Sequence, residues 1–180
     1  REFGFLKEVL VAPISRTAVA LGKALGGATI ATGQGLVMLI FIPFVGIGIT
    51  WVQIVLLIPL MFIFAFSLTS MGIAIASRIR TMESFQVVMQ LMIFPLFFVS
   101  PAIFPADRLP SWLGIPVRLN PVSYGIDALR QCVLTQSGNV PGFGMTIFGH
   151  TMSIAEDVGV LAFFGAVMAL LAVWSFSNQE

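Results

Sequence analysis

Between Lys23 and Arg78 the chain carries no charged side chain. That interval is too long for one membrane crossing, which takes about 20 apolar residues at about 1.5 Å each. It reads as two helices joined by a short turn. The turn falls at Pro43-Phe44-Val45-Gly46-Ile47-Gly48-Ile49-Thr50, where a proline and two glycines interrupt the helical pattern. A buried hairpin in a water-soluble protein would need a large polar shell. With 58% hydrophobic and 9% charged residues, against about 25% charged in soluble domains, the remaining chain supplies none. The fold class is all-α, a polytopic helical membrane protein.

The same composition excludes several functions. A formal charge of +1 leaves no cationic surface for nucleic acid. One cysteine, Cys132, and one histidine, His150, exclude an intrachain disulfide, a cysteine metal cluster and a multi-histidine site; no metal ligand set is expected. Gly22-Lys23 lies in GKALGG, which lacks the GxxxxGK[ST] pattern, so ATP is not expected to bind this chain through such a loop. Asp127 and Arg130 have no nucleophile or metal ligand beside them in sequence and read as an ion pair or as interface anchors. No catalytic residue is assigned and no enzyme activity is expected. Cys132 reads as a small apolar filler and His150 as a loop residue.

Along the chain, FGFLKEVLVA places Phe3, Leu6 and Leu10 on one face of a short amphipathic helix, 3–12, stopped by Pro13. It either lies passively in the interface or docks a partner that pushes on it. Ser15 can cap a helix beginning near Arg16. The first span is expected over about 18–42, with Ala18, Gly22 and Gly26 four apart, plus Gly27, Gly33 and Gly35, small residues that let another helix approach closely. The second covers about 52–77, with Trp51 at its outer interface and Pro59 inside. The third covers about 84–104; Gln86 and Gln90, one turn apart, suit a subunit contact or a substrate path. Residues 105–156 are irregular and proline-rich. Within them Asn120 can cap a short helix that opens on Pro121, too short and too charged for an ordinary span. That helix lies at the interface or enters the membrane partway against protein. Ser153 and Glu156 have the spacing of a capping box, and the fourth span follows at about 157–176.

Basic residues set the orientation. Arg1, Lys7, Arg16, Lys23, Arg78 and Arg80 fall on one side; Arg108, Arg118 and Arg130 share a longer loop with four acidic residues on the other. Residues 1–17 and 78–83 are expected in the cytoplasm, with 43–51 and 105–156 outside. The opening Arg1-Glu2-Phe3-Gly4, charged and without Met, is expected to belong to a longer protein.

Two segments carry a resemblance. REFGFLKEVLVAPISR, followed by GKALG, resembles the segment before the third span of ABC-2 type transporter permeases, matching at Arg1, Glu2, Gly4, Leu6, Glu8, Leu10, Pro13, Ser15 and Arg16. LNPVSYGIDALR resembles their external segment before the last span, at Asn120, Pro121, Tyr124, Asp127 and Arg130, and Ile103–Pro105 with Leu109–Pro110 fits between them. The similarity is greatest to bacterial multidrug permeases of the daunorubicin-exporter type. Phe5 and Lys7 depart from the usual small and acidic residues.

The resemblance implies a partial transmembrane domain of the type V exporter kind, lacking the first two of six spans and sited in the cell inner membrane. Phe3, Leu6, Glu8, Leu10, Pro13 and Arg16 would form the coupling segment, seated in a separate ATP-binding subunit that holds ATP and Mg. Asn120, Pro121, Tyr124, Asp127 and Arg130 would build the external short helix. A second permease subunit, membrane lipid and a hydrophobic or amphipathic substrate are the other implied partners. An ATPase-independent channel or carrier, or a membrane scaffold subunit, is the alternative.

Overall fold

The computed structural model describes residues 15–46, 48–79, 81–102, 114–134, 145–147 and 150–177. Ser15 starts the first helix, α1 (Arg16–Leu39), by accepting the Ala18 amide at 3.3 Å. After a 3-10 turn at Ile42–Val45 and Gly46, whose φ of 81° suits only glycine comfortably, Thr50 and Gln53 form a reciprocal cap on α2 (Trp51–Arg78). Thr81 caps α3 (Met82–Phe98). Two short helices follow, α4 (Gly114–Leu119) and α5 (Pro121–Leu134). A two-residue antiparallel pairing, β1 (Thr146–Ile147) with β2 (His150–Thr151), is the one strand pairing among the described residues. The last helix is α6 (Ile154–Ser177).

Where the hydrophobic pattern placed 52–77 and 157–176, the helices run 51–78 and 154–177, so each extends into its own cap. Both are long and apolar enough to cross a membrane, α2 rising about 42 Å over its 28 residues. Helix α1 has 24 residues, but glycine, threonine and Gln34 dilute its hydropathy. Helix α3 stops at Phe98 after 17 residues, short of the 104 expected.

The helices share two poles. Gly27 of α1 faces Thr69 of α2, and Gly35 faces Met61, so α1 and α2 are antiparallel. Gly165 of α6 packs on Ser67, and Ser175 meets Ser77, so α2 and α6 run parallel. Arg16, Lys23, Arg78 and Glu83 therefore gather at one pole, and α4, α5 and the β pairing at the other. A Cβ on Gly165 would stand 2.6 Å from Ser67 Oγ and 3.3 Å from its Cα. In lipid such approach, not expulsion of water, holds helices together. Ser67 Oγ reinforces the contact, bonding the Leu161 carbonyl across the gap at 2.8 Å.

Of the small residues expected to admit a neighbour, Gly27 and Gly35 do meet α2, but the rest of the face that α1 buries differs from expectation. Ala20, Ala24, Ala28 and Thr32 form its buried ladder, while Ala18, Gly22 and Gly26 are exposed, and nothing lies within 4 Å of a Cβ on either glycine. Both ladders have four-residue spacing. The alanine ladder meets α2 and α6; the glycine ladder points away from them.

Candidate functional site

Helix α5 is the most enclosed element of the fold. Pro121, Val122, Ser123, Tyr124, Gly125, Asp127, Ala128 and Cys132 are all buried. Asn120 starts it, its Oδ1 accepting the Val122 amide at 3.0 Å, and Pro121 occupies the first turn, where a missing N–H costs nothing. The helix is wedged between α2 and α6. Ala128 and Cys132 pack on Leu57 and Leu60, and Tyr124 packs with Leu161, Met145 and Val117. Gly125 lets it sit deep, because a Cβ there would run into the Phe64 ring.

Polar bonds then fasten α5 to three other helices. Asn120 Nδ2 donates to the Leu96 carbonyl of α3 at 2.6 Å, and Arg130 Nη2 donates to the Pro101 carbonyl just beyond α3 at 2.6 Å. At the far end Gln53 of α2, only 1% exposed, donates through Nε2 to the carbonyls of Cys132 and Val133 at 3.1 and 3.0 Å. These are orphan carbonyls of the last helical turn. The other end of the same amide is held, since Gln53 Oε1 accepts from Thr50 N and Oγ1. Toward α6, Asp127 Oδ2 accepts from the Met145 amide at 2.7 Å and from Gln131 Nε2 at 3.0 Å, and Gln131 reaches on to Asp157 Oδ2 at 3.1 Å.

Of the two readings of Asp127 and Arg130, the ion pair does not form, although three-residue spacing makes them neighbours on the helix: each is spent on a different partner. Tyr124 donates its hydroxyl to the Arg118 carbonyl at 2.6 Å. Burial, then the Asp157 carboxylate, raise its phenol above the usual range, with Arg118 opposing. Burial likewise pushes the Cys132 thiol up, and its side chain packs in the cluster with Leu57, Leu60 and Ala128. His150 sits exposed in β2 and pairs with Glu156 at 3.2 Å, while Glu156 also closes the capping box with Ser153. At the opposite pole Arg78 stacks 5.3 Å above the Trp174 ring and donates to Ser175 Oγ at 3.0 Å.

Gln86 and Gln90 lie exposed on α3, a helix with no buried side chain. Among the described residues neither takes a hydrogen-bond partner. Phe3, Leu6, Glu8, Leu10 and Pro13 lie outside the described residues, and Arg16 is the first residue of α1. Sequence reasoning missed Gln53, Gln131 and the Asp127–Asp157 pairing. The available signal for Gln53 was a lone amide in the first turn of an otherwise apolar span, a placement that is costly unless satisfied.

The arrangement is that of a polytopic helical membrane protein in which a short buried helix ties the spans together at one pole. Residues 1–134 match the ABC-2 type transporter family, and the chain belongs to it. It is 32% identical over 173 residues to the putative transport permease ycf38 of Cyanophora paradoxa, covering 95% of this chain and 60% of that protein. The probable multidrug ABC transporter permease YbhR of Escherichia coli K12 is 27% identical over 140 residues, 74% of this chain and 36% of its own. Nodulation protein J of Rhizobium leguminosarum bv. trifolii is 27% identical over 115 residues, 63% of this chain and 38% of its own. The chain thus spans 60% of the first relative's length. No solved structure matches.

Proposed function

We propose that this chain is part of the permease of an ATP-driven exporter, moving a hydrophobic or amphipathic substrate such as a drug, lipid or lipid-linked glycan out of the cytoplasm by alternating access. The observation that carries the reading is the fastening of α5 to α2, α3 and α6. A helix bonded to three neighbours forces them to move as a set, which an alternating-access device requires and a passive anchor does not. Family membership and the permease names of the relatives support it.

In this reading ATP and Mg belong to a separate ATP-binding subunit. Phe3, Leu6, Glu8, Leu10, Pro13 and Arg16 seat in that subunit and transmit its nucleotide-driven motion. The pole bearing Arg16, Lys23 and Arg78 faces the cytoplasm, in keeping with the bias of basic residues, and α5 lies toward the outside of the cell inner membrane. A second permease subunit completes the route, with Gln86 and Gln90 at the subunit contact or on the path. Nucleotide acts by differential contact with two arrangements of the helices.

The test is co-purification of the complete natural chain with its ATP-binding subunit, followed by ATPase and efflux measurements in proteoliposomes. Glu8→Ala or Leu10→Ala is expected to weaken assembly or coupling. Full transport without any ATPase would replace the proposal by a stand-alone channel or carrier, and partner binding without flux would replace it by a scaffold.

A further inference from the structure

Between α5 and α6 the hydrogen-bond stoichiometry does not close. Asp127 and Asp157 are 4% and 0% exposed, and the Oδ2 atoms of both lie on the same Gln131 nitrogen, at 3.0 and 3.1 Å. Gln131 Nε2 carries two hydrogens, yet three oxygens surround it: Asp127 Oδ2 at 3.0 Å, the Met152 carbonyl at 3.1 Å and Asp157 Oδ2 at 3.1 Å. The Met145 amide supplies one more hydrogen, to Asp127 Oδ2. Asp157 Oδ1 is buried with no hydrogen-bond partner among the described residues. The cluster is short of donors, and it holds two carboxyl groups.

Among the described residues no cation bonds either carboxylate. The charged groups acting on Asp157 are Asp127 and Glu156, both acidic. On α5, Arg130 is directed to the Pro101 carbonyl, and Tyr124 gives its hydroxyl to the Arg118 carbonyl. On α6, Glu156 is held by Ser153 and His150. The stretch of α2 packed against both helices, like that of α1, lies in the charge-free interval 24–77. Two like charges in such a site do not both ionise readily.

We propose that Asp127 and Asp157 hold one proton between them, and that its loss as pH rises loosens the seat of α5 against α6. The shared proton supplies the missing donor and leaves the pair with a single negative charge, which the Met145 and Gln131 hydrogens face. Without it, two charges in contact share too few hydrogens, and the separation that relieves them is that of α5 from α6. The clasp is a property of the fold and is independent of what the chain transports.

Cys132, on α5 and buried, reports on the clasp. In the whole natural chain reconstituted in lipid nanodiscs, with any other cysteine replaced by serine, its labelling rate by a membrane-permeant maleimide is followed against pH. Asp157→Asn supplies the donor permanently and carries the same thiol, so the wild-type-to-variant rate ratio cancels thiol ionisation. The ratio is expected to rise by up to about tenfold per pH unit below the midpoint and to level off above it, as a one-proton opening requires. A flat ratio overturns the proposal, as does labelling that responds to sodium at fixed pH, which would put a cation where the proton is assigned. If Asp157→Asn does not fold, infrared absorption of the wild type decides. A protonated-carboxyl band that vanishes with the midpoint of Cys132 labelling supports the shared proton, and absence of the band overturns it.

Discussion

Helices α3 and α5, which meet only where Asn120 and Arg130 bond carbonyls at the end of α3, are opposites. Helix α3 is the longer and far more apolar, yet buries no side chain; its Val87, Leu91, Ile93, Phe94, Phe97 and Phe98 are exposed. Helix α5 carries Asp127, Arg130 and Gln131 and is enclosed almost throughout. In water the assignments would be reversed. In lipid, apolar side chains gain nothing by leaving the surface, whereas polar groups must find partners inside protein. Burial here follows polar pairing rather than hydrophobicity.

Five substitutions would break or sharpen that contrast. Gly125→Leu is expected to have the largest effect, because the added side chain has to displace the Phe64 ring from the bed of α5. Destabilisation of about 3 kcal/mol or more would be read as a fall in the thermal midpoint in detergent. Gln53→Leu removes both donors to the end of α5 and the cap on Thr50, at about 1–3 kcal/mol. It should also speed maleimide labelling of Cys132, and an unchanged rate would mean the tether holds nothing.

Asn120→Ala should cost about 1 kcal/mol through loss of the cap, seen as faster amide exchange in the first turn of α5. Gln86→Leu and Gln90→Leu are expected to stay within about 0.5 kcal/mol of wild type for this chain alone. Reduced disulfide crosslinking between two copies through cysteines placed on α3 would then mark these glutamines as contact residues. A large loss of stability in the isolated chain would instead show that α3 is packed within it.

The local signals in the sequence were legible because their causes are local. Ser15, Asn120 and the Ser153–Glu156 pair each begin a helix where side-chain oxygen meets free amides within three residues, and Pro121 adds a fixed φ. The charge-free interval likewise determined a helical pair by length alone. Sequence could not choose between the two small-residue ladders of α1, since both have the right spacing and lipid offers no polarity contrast to distinguish them. Tertiary structure chose Ala20, Ala24 and Ala28, leaving Gly22 and Gly26 open. Nor could spacing reveal that Gln53 would cap a helix 79 residues away, or that Asp127 would meet Asp157 rather than Arg130. Those bonds exist only because α2 and α6 run parallel with α5 wedged between them, and a polar group buried there takes whatever partner the packing brings within reach.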